Sequence, residues 1–165
     1  MKIGVISDTH GILRDEVIEK LQDCQYIIHA GDVGNKEIID KLDSIAKTFV
    51  VRGNNDKDNW GLSLPEYREI EMDEVLIYLV HNKTDIPKDL KEVDLIIYGH
   101  SHKFNEEKID DIIYLNPGAC GRKRFSLPLS MAIVEVNLDD IKIEKIDLKG
   151  EINDKCSSSN IRKRK

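Results

Sequence analysis

Cysteine is scarce in this 165-residue chain, with only Cys24, Cys120 and Cys156, an odd number without close spacing. That argues against a disulfide framework and a zinc ribbon, and it points to a reducing compartment, the cytoplasm. Long apolar runs are also missing. No stretch reaches the ~18 apolar residues of a membrane span, and the opening Met-Lys-Ile-Gly-Val-Ile-Ser-Asp turns polar too early for a secretory signal. A general basic surplus is absent too, since the net charge is −6. Residues 150–165 hold five basic residues (Lys155, Arg162, Lys163, Arg164, Lys165) against Glu151 and Asp154; residues 1–149 hold 20 basic and 29 acidic residues, or −9. An acidic body does not indicate nucleic acid. The basic end reads as a solvated, flexible tail over residues 149–165, behind one domain over residues 1–148. A chain of this length buries roughly 70% of its unfolded surface, so it needs no structural metal to fold.

What is present alternates between two periods. Lys2–Ser7, Tyr26–Ala30, Phe49–Val51 and Leu95–Tyr98 are apolar runs short enough for buried strands. Val17 with Leu21, and Ile38 with Leu42, are i,i+4 pairs in charged segments between the first three runs. The pattern over residues 1–52 predicts βαβαβ and a parallel sheet. Tyr67–Met72 and Val75–Val80 read as strands joined by a tight turn at Asp73-Glu74. Ile112–Leu115, Met131–Val136 and Ile141–Leu148 continue the strand signal, and Ile86–Lys91 is the best short helix of the second half. The fold class is α/β, with two packed sheets flanked by helices.

The unusual residues fall just past strand ends. Asp8-Thr9-His10 follows the first strand, Gly31-Asp32 the second, and Gly53-Asn54-Asn55-Asp56 the third; His81 follows Val80, and Gly99-His100-Ser101-His102 follows Tyr98. In open α/β sheets the crevice beyond the carboxyl ends of the strands is where ligands bind. Taken singly, Asp-x-His, Gly-Asp or one His at a strand end is commonplace. Five in succession converge. Imidazole, carboxylate and amide oxygen without thiolate suit Mn, Fe, Co, Ni or Zn rather than a closed soft site. Seven candidate ligands exceed one tetrahedral ion and suit two ions ~3.5–4 Å apart.

These motifs, in this order, resemble those of the calcineurin-like metallophosphoesterase superfamily. The length and Asn116-Pro117-Gly118 after the last His motif are similar to its small, single-domain prokaryotic phosphodiesterase branch. The resemblance covers about residues 1–148. It implies an α/β/β/α sandwich of two mixed sheets with helices on both outer faces. It also implies a dinuclear centre whose bound hydroxide attacks a phosphate ester, most readily a diester. Carried over by position, Asp8, His10 and His102 would hold one metal and Asn54, His81 and His100 the other. Asp32 would bridge. Manganese is the favoured ion. His29 lies outside the ligand set and reads as a packing residue.

Two positions depart from the pattern. Many members have Gly-Asn-His-Asp/Glu, whose His protonates the leaving group; here Asn55 stands there, followed by Asp56. Many continue His-Gly-His where this chain has His81-Asn82-Lys83. Arg122 and Arg124, after a loop-rich stretch, are candidates for bidentate phosphate contact, although solvated loop charges need no such role. Other hydrolase signatures are missing. His102 is followed by Lys103-Phe104, so His-x-His-x-Asp-His is absent; Ser126 stands six places after Cys120, so Cys-x5-Arg is absent; and no Gly-x4-Gly-Lys-Ser/Thr loop occurs. The rival reading is a non-catalytic scaffold or regulatory module on the same fold. Homo-oligomerisation stays open.

Overall fold

β1 (Lys2–Ile6), α1 (Asp15–Leu21), β2 (Tyr26–His29), α2 (Lys36–Ile45) and β3 (Lys47–Val50) realise the βαβαβ pattern in a computed structural model that describes residues 1–124, 126–138 and 140–150. β1, β2 and β3 pair in parallel. β9 (Ser130–Asn137) adds antiparallel to β1 and β10 (Asp140–Asp147) to β9, giving the order β10-β9-β1-β2-β3. A second sheet has the order β4-β5-β6-β8-β7. In it, β5 (Val75–Val80), β6 (Leu95–Ile97) and β8 (Ile112–Pro117) are parallel, while β4 (Tyr67–Met72) and β7 (Phe104–Ile109) are antiparallel edges. The basic tail beyond Gly150 lies outside the described residues.

Strand alternation divides the apolar residues between layers. Ile3, Val5 and Ile28 of the first sheet meet Ile77, Leu79, Leu95 and Ile97 of the second in the inter-sheet core. On the opposite face, Val17 and Leu21 of α1 and Ile38 and Leu42 of α2 pack with Ile6, Ile27 and Ile133, so both i,i+4 pairs are buried. Truncating a fully buried residue such as Leu21 to Ala would cost about 2–5 kcal/mol. The outer face of the second sheet (Tyr78, Val80, Ile96, Tyr98) is covered differently, by Ile86, Leu90 and Val93 of an irregular segment. Its regular structure among the described residues is one 3-10 turn, Lys83–Asp85, capped by the Asn82 side chain. The helix expected over Ile86–Lys91 does not form. Pro87 holds Ile86 extended (φ −71°, ψ 123°), which ends the turn there.

β7 was not legible in the sequence. Phe104-Asn-Glu-Glu-Lys-Ile109 is mostly polar because an edge strand buries little. A four-residue helix, α3 (Asn59–Leu62), is capped by the Asp58 carboxylate, which accepts from Gly61 N–H. The arrangement matters for one reason: the carboxyl ends of β1, β2, β3, β5 and β6 open on one rim.

Candidate metal centre

Three of the five motifs leave their strands through left-handed residues. Asp8 (φ 56°), His10 (46°), Asp32 (56°), His100 (74°) and His102 (63°) all adopt the left-handed region. That conformation costs an L-residue roughly 1–2 kcal/mol and is held only when surrounding bonds over-determine it. Here the loops lock one another: Asp8 N–H donates to Gly31 O (3.0 Å), His10 N–H to Asp32 O (3.0 Å) and Gly99 N–H to His81 O (2.9 Å). Ser7 Oγ and His100 N–H both donate to Asp8 Oδ2, at 2.7 and 3.1 Å. Asn116, from the Asn-Pro-Gly stretch, is buried and donates to Gly99 O and Ser101 Oγ, both at 3.0 Å. Ser7 and Asn116 thus brace the rim, and sequence reading singled out neither for that task.

The seven metal-competent side chains come together in two groups. Asp8, His10 and His102 present donor atoms within 4.8 Å of one another, and Asp32, His81 and His100 form a second such set. Asp8 Oδ1 lies 3.5 Å from His10 Nε2 and 3.3 Å from His102 Nε2, and those nitrogens are 3.2 Å apart. Asn54 Oδ1 is 3.0 Å from both His81 Nε2 and His100 Nδ1. Asp32 Oδ2 sits between the groups, 3.3 Å from His81 Nε2 and 3.6 Å from His10 Nε2.

This donor set fits divalent cations. With metal–ligand bonds of about 2.1 Å, ligands on neighbouring vertices lie roughly 3.0–3.4 Å apart, which matches most of these spacings. Asp8 Oδ1 is buried without a hydrogen-bond partner among the described residues, a costly state for a carboxylate oxygen unless a cation meets it. His81 Nδ1 is 2.6 Å from Ala30 O, so Nδ1–H donates there and Nε2 is left as a lone-pair donor. Burial pushes the Asp8 and Asp32 carboxyls up. Neighbouring imidazoles (His10 and His102 for Asp8, His81 for Asp32) outweigh it and hold both below the usual carboxylate range. His81 is raised because Asp32 outweighs burial. Gly53 is required by space, since a Cβ there would collide with the Asp32 backbone N and Oδ1.

The remaining candidates fall elsewhere. Asn55 grips Asp32 with two bonds, its N–H to Oδ1 (2.8 Å) and its Nδ2 to Oδ2 (3.1 Å). Asp56 is buried and accepts from Val33 N–H (3.0 Å), Gly34 N–H (3.2 Å) and Gly53 N–H (2.8 Å), stapling two loops together. Arg122 and Arg124 are exposed and make no side-chain hydrogen bond or ion pair among the described residues. His29 is fully buried and presents no atom to either donor group. Beside Asn54 and His81 opens a cleft of about 530 Å³, lined in part by Arg52, Tyr67 and Tyr78, which sequence reading missed. A basic residue directly before Gly53-Asn54 was the one available signal.

Residues 1–139 match the family model for the calcineurin-like phosphoesterase superfamily domain. A probable metallophosphoesterase of Methanocaldococcus jannaschii is 37% identical over 134 residues, covering 72% of this chain and 68% of that protein. A phosphodiesterase of the same organism is 29% identical over 140 residues, covering 73% of this chain and 84% of that protein. Among solved structures, wild-type Vps29 from Entamoeba histolytica complexed with Zn²⁺ aligns with a TM-score of 0.69 at 25% identity, over 89% of this chain and 99% of that one.

Proposed function

Because this chain belongs to the calcineurin-like phosphoesterase superfamily, we propose that it is a phosphodiesterase working with two divalent cations. The observation that carries this reading is Asp32 Oδ2, placed between two donor groups that together engage seven side chains. Asp8, His10 and His102 would hold one ion, Asn54, His81 and His100 the other, and Asp32 both. Such ions supply Lewis-acid polarisation of a phosphate ester and a bound water of lowered pKa. Resemblance to the M. jannaschii phosphodiesterase supports a diester substrate.

The protein's own residues do the positioning. Asn55 fixes both oxygens of Asp32. Ser7 and His100 N–H fix one oxygen of Asp8, aiming the other at His10 and His102. Neither Asn55, an amide, nor Asp56, whose oxygens are taken by backbone N–H groups, is placed to hand a proton to a leaving alkoxide. A positioned acid typically contributes 10²–10⁴-fold, so aryl diesters should be hydrolysed well ahead of alkyl ones. Manganese is the proposed ion, since His, Asp and Asn without thiolate suit it, while magnesium prefers oxygen ligands and retains its waters.

The test is metal content of the purified protein together with turnover of bis(p-nitrophenyl) phosphate. Chelation should abolish turnover, manganese should restore it and magnesium alone should restore little. Asp32→Asn should lose both metal and activity. Metal binding without turnover of any diester would instead favour the scaffold reading.

A further inference from the structure

The cleft beside the centre shares Asn54 and His81 with the proposed metal ligands and continues outward to Arg52, Tyr67, Tyr78 and Asn82. Its lining is both aromatic and charged. Tyr78 is buried, and Tyr67 stacks on it at 5.7 Å between centroids and 16° between planes. Tyr67 itself is 56% exposed, a large aromatic face on an edge strand, paired in register with Val80, the residue before His81. Its ring is thus backed by a buried partner, and little conformational freedom remains to be lost when something stacks on it. Arg52, also in the lining, is steadied by Glu66 and by Leu62 O (3.4 Å). An isolated exposed aromatic needs no explanation. One that walls a cleft continuous with the phosphate-handling residues does.

We propose that this cleft receives an aromatic ring carried by the phosphate ester, a nucleobase or an aryl group, laid against the Tyr67–Tyr78 pair. The proposal rests on the phosphoesterase reading and names the substrate class of that same site: aromatic phosphate esters over small alkyl ones. Stacking on a tyrosine is tolerant of which ring it meets, so a nucleobase and a simple aryl group share the chemistry.

The test is calorimetric, so it does not depend on turnover. Methylphosphonate, phenylphosphonate and thymidine 5′-monophosphate are titrated into manganese-loaded protein. Phenylphosphonate should bind about tenfold more tightly than methylphosphonate. The thymidine arm shows whether a nucleobase shares the advantage. Tyr67→Ala should bring the phenyl-to-methyl ratio to about one, and Tyr67→Phe should retain it; metal content of each variant is measured alongside. Equal affinity of the wild type for phenyl and methyl compounds, or a ring preference surviving in Tyr67→Ala, would overturn the proposal. Turnover of bis(p-nitrophenyl) phosphate by the same preparation separates that failure from failure of the phosphodiesterase reading.

Discussion

His29 shows how a residue next to the centre can matter without serving as a ligand. Thr9 Oγ1 donates to Val33 O (2.7 Å), so it accepts from His29 Nε2–H (2.9 Å), while Gly31 N–H donates to His29 Nδ1 (3.1 Å). Only the neutral ring satisfies all three, and burial pushes its pKa down to about 4. Between pH ~6.5 and 4 the unfolded chain therefore takes up a proton that the folded chain refuses. Stability is complete above that window and falls with acidification by roughly 1.4 kcal/mol per pH unit at most. Urea unfolding of wild type and His29→Gln from pH 7 to 4.5 should show a steeper loss in the wild type; the other histidines are common to both, and parallel curves would refute the assignment. Asn55 makes a second case at this scale. Its Nδ2 bond to Asp32 is the kind of outer support whose loss typically costs 10–100-fold in metal affinity, so Asn55→Ala should weaken manganese binding to apoprotein by about that factor. An unchanged titration would leave Asn55 without a positioning role. Cys120, fully buried with its thiol pushed up to about 12 by that burial, should resist alkylation until the protein unfolds.

Two hairpins of the second sheet separate what periodicity reveals from what it hides. Asp73-Glu74 was readable because Tyr67–Met72 and Val75–Val80 flank it with unmistakable strand patterns. Asp110-Asp111 was not, because β7 carries apolar residues only at Phe104 and Ile109. Both turns place two consecutive acidic residues at positive φ (44° and 69°; 48° and 68°), the I′ geometry that Asn-Gly fits best. The left-handed conformations of Asp8, His10, Asp32, His100 and His102 were equally invisible, since local preference runs against them and contacts from other strands impose them. The candidate side chains could still be picked out together, because each motif sits at a strand end and the strand ends share one rim. The cleft did not, because it exists only once β4 is paired to β5 and set beside Arg52. Replacing Glu74 or Asp111 by Gly should relieve left-handed strain and raise stability by about 0.5–1 kcal/mol each. In thermal unfolding that is a few degrees. Val75 starts β5 and His81 follows its far end, ~20 Å away, so manganese binding should not move. A fall in melting temperature for both variants would contradict the strain argument.

At the scale of the whole molecule the question is where the folded unit stops. The sequence divides by charge, with an acidic body of −9 and a basic end with a surplus of three. Among the described residues, anchoring contacts reach close to that change. β10 ends at Asp147, Leu148 N–H donates to Leu129 O (2.9 Å), Leu148 packs against the α1–α2 side of the first sheet, and Lys149 N–H donates to Glu16 Oε1 (2.7 Å). Every element that carries a candidate ligand lies before residue 117, and β9 and β10 complete the sheet on which β1 depends. We therefore expect a chain ending at Gly150 to fold with the stability of the full chain, to bind the same manganese complement and to hydrolyse bis(p-nitrophenyl) phosphate at the same rate. A chain ending at Asp147 loses the Leu148 contact and two hydrogen bonds, one to the Leu129 carbonyl and one to the Glu16 carboxylate, a loss of roughly 1–3 kcal/mol, and should melt several degrees lower. Thermal unfolding of the three chains side by side decides it. Equal melting of all three would put the end of the folded unit at β10, and a marked loss of stability or turnover in the chain ending at Gly150 would make the basic segment part of the working protein.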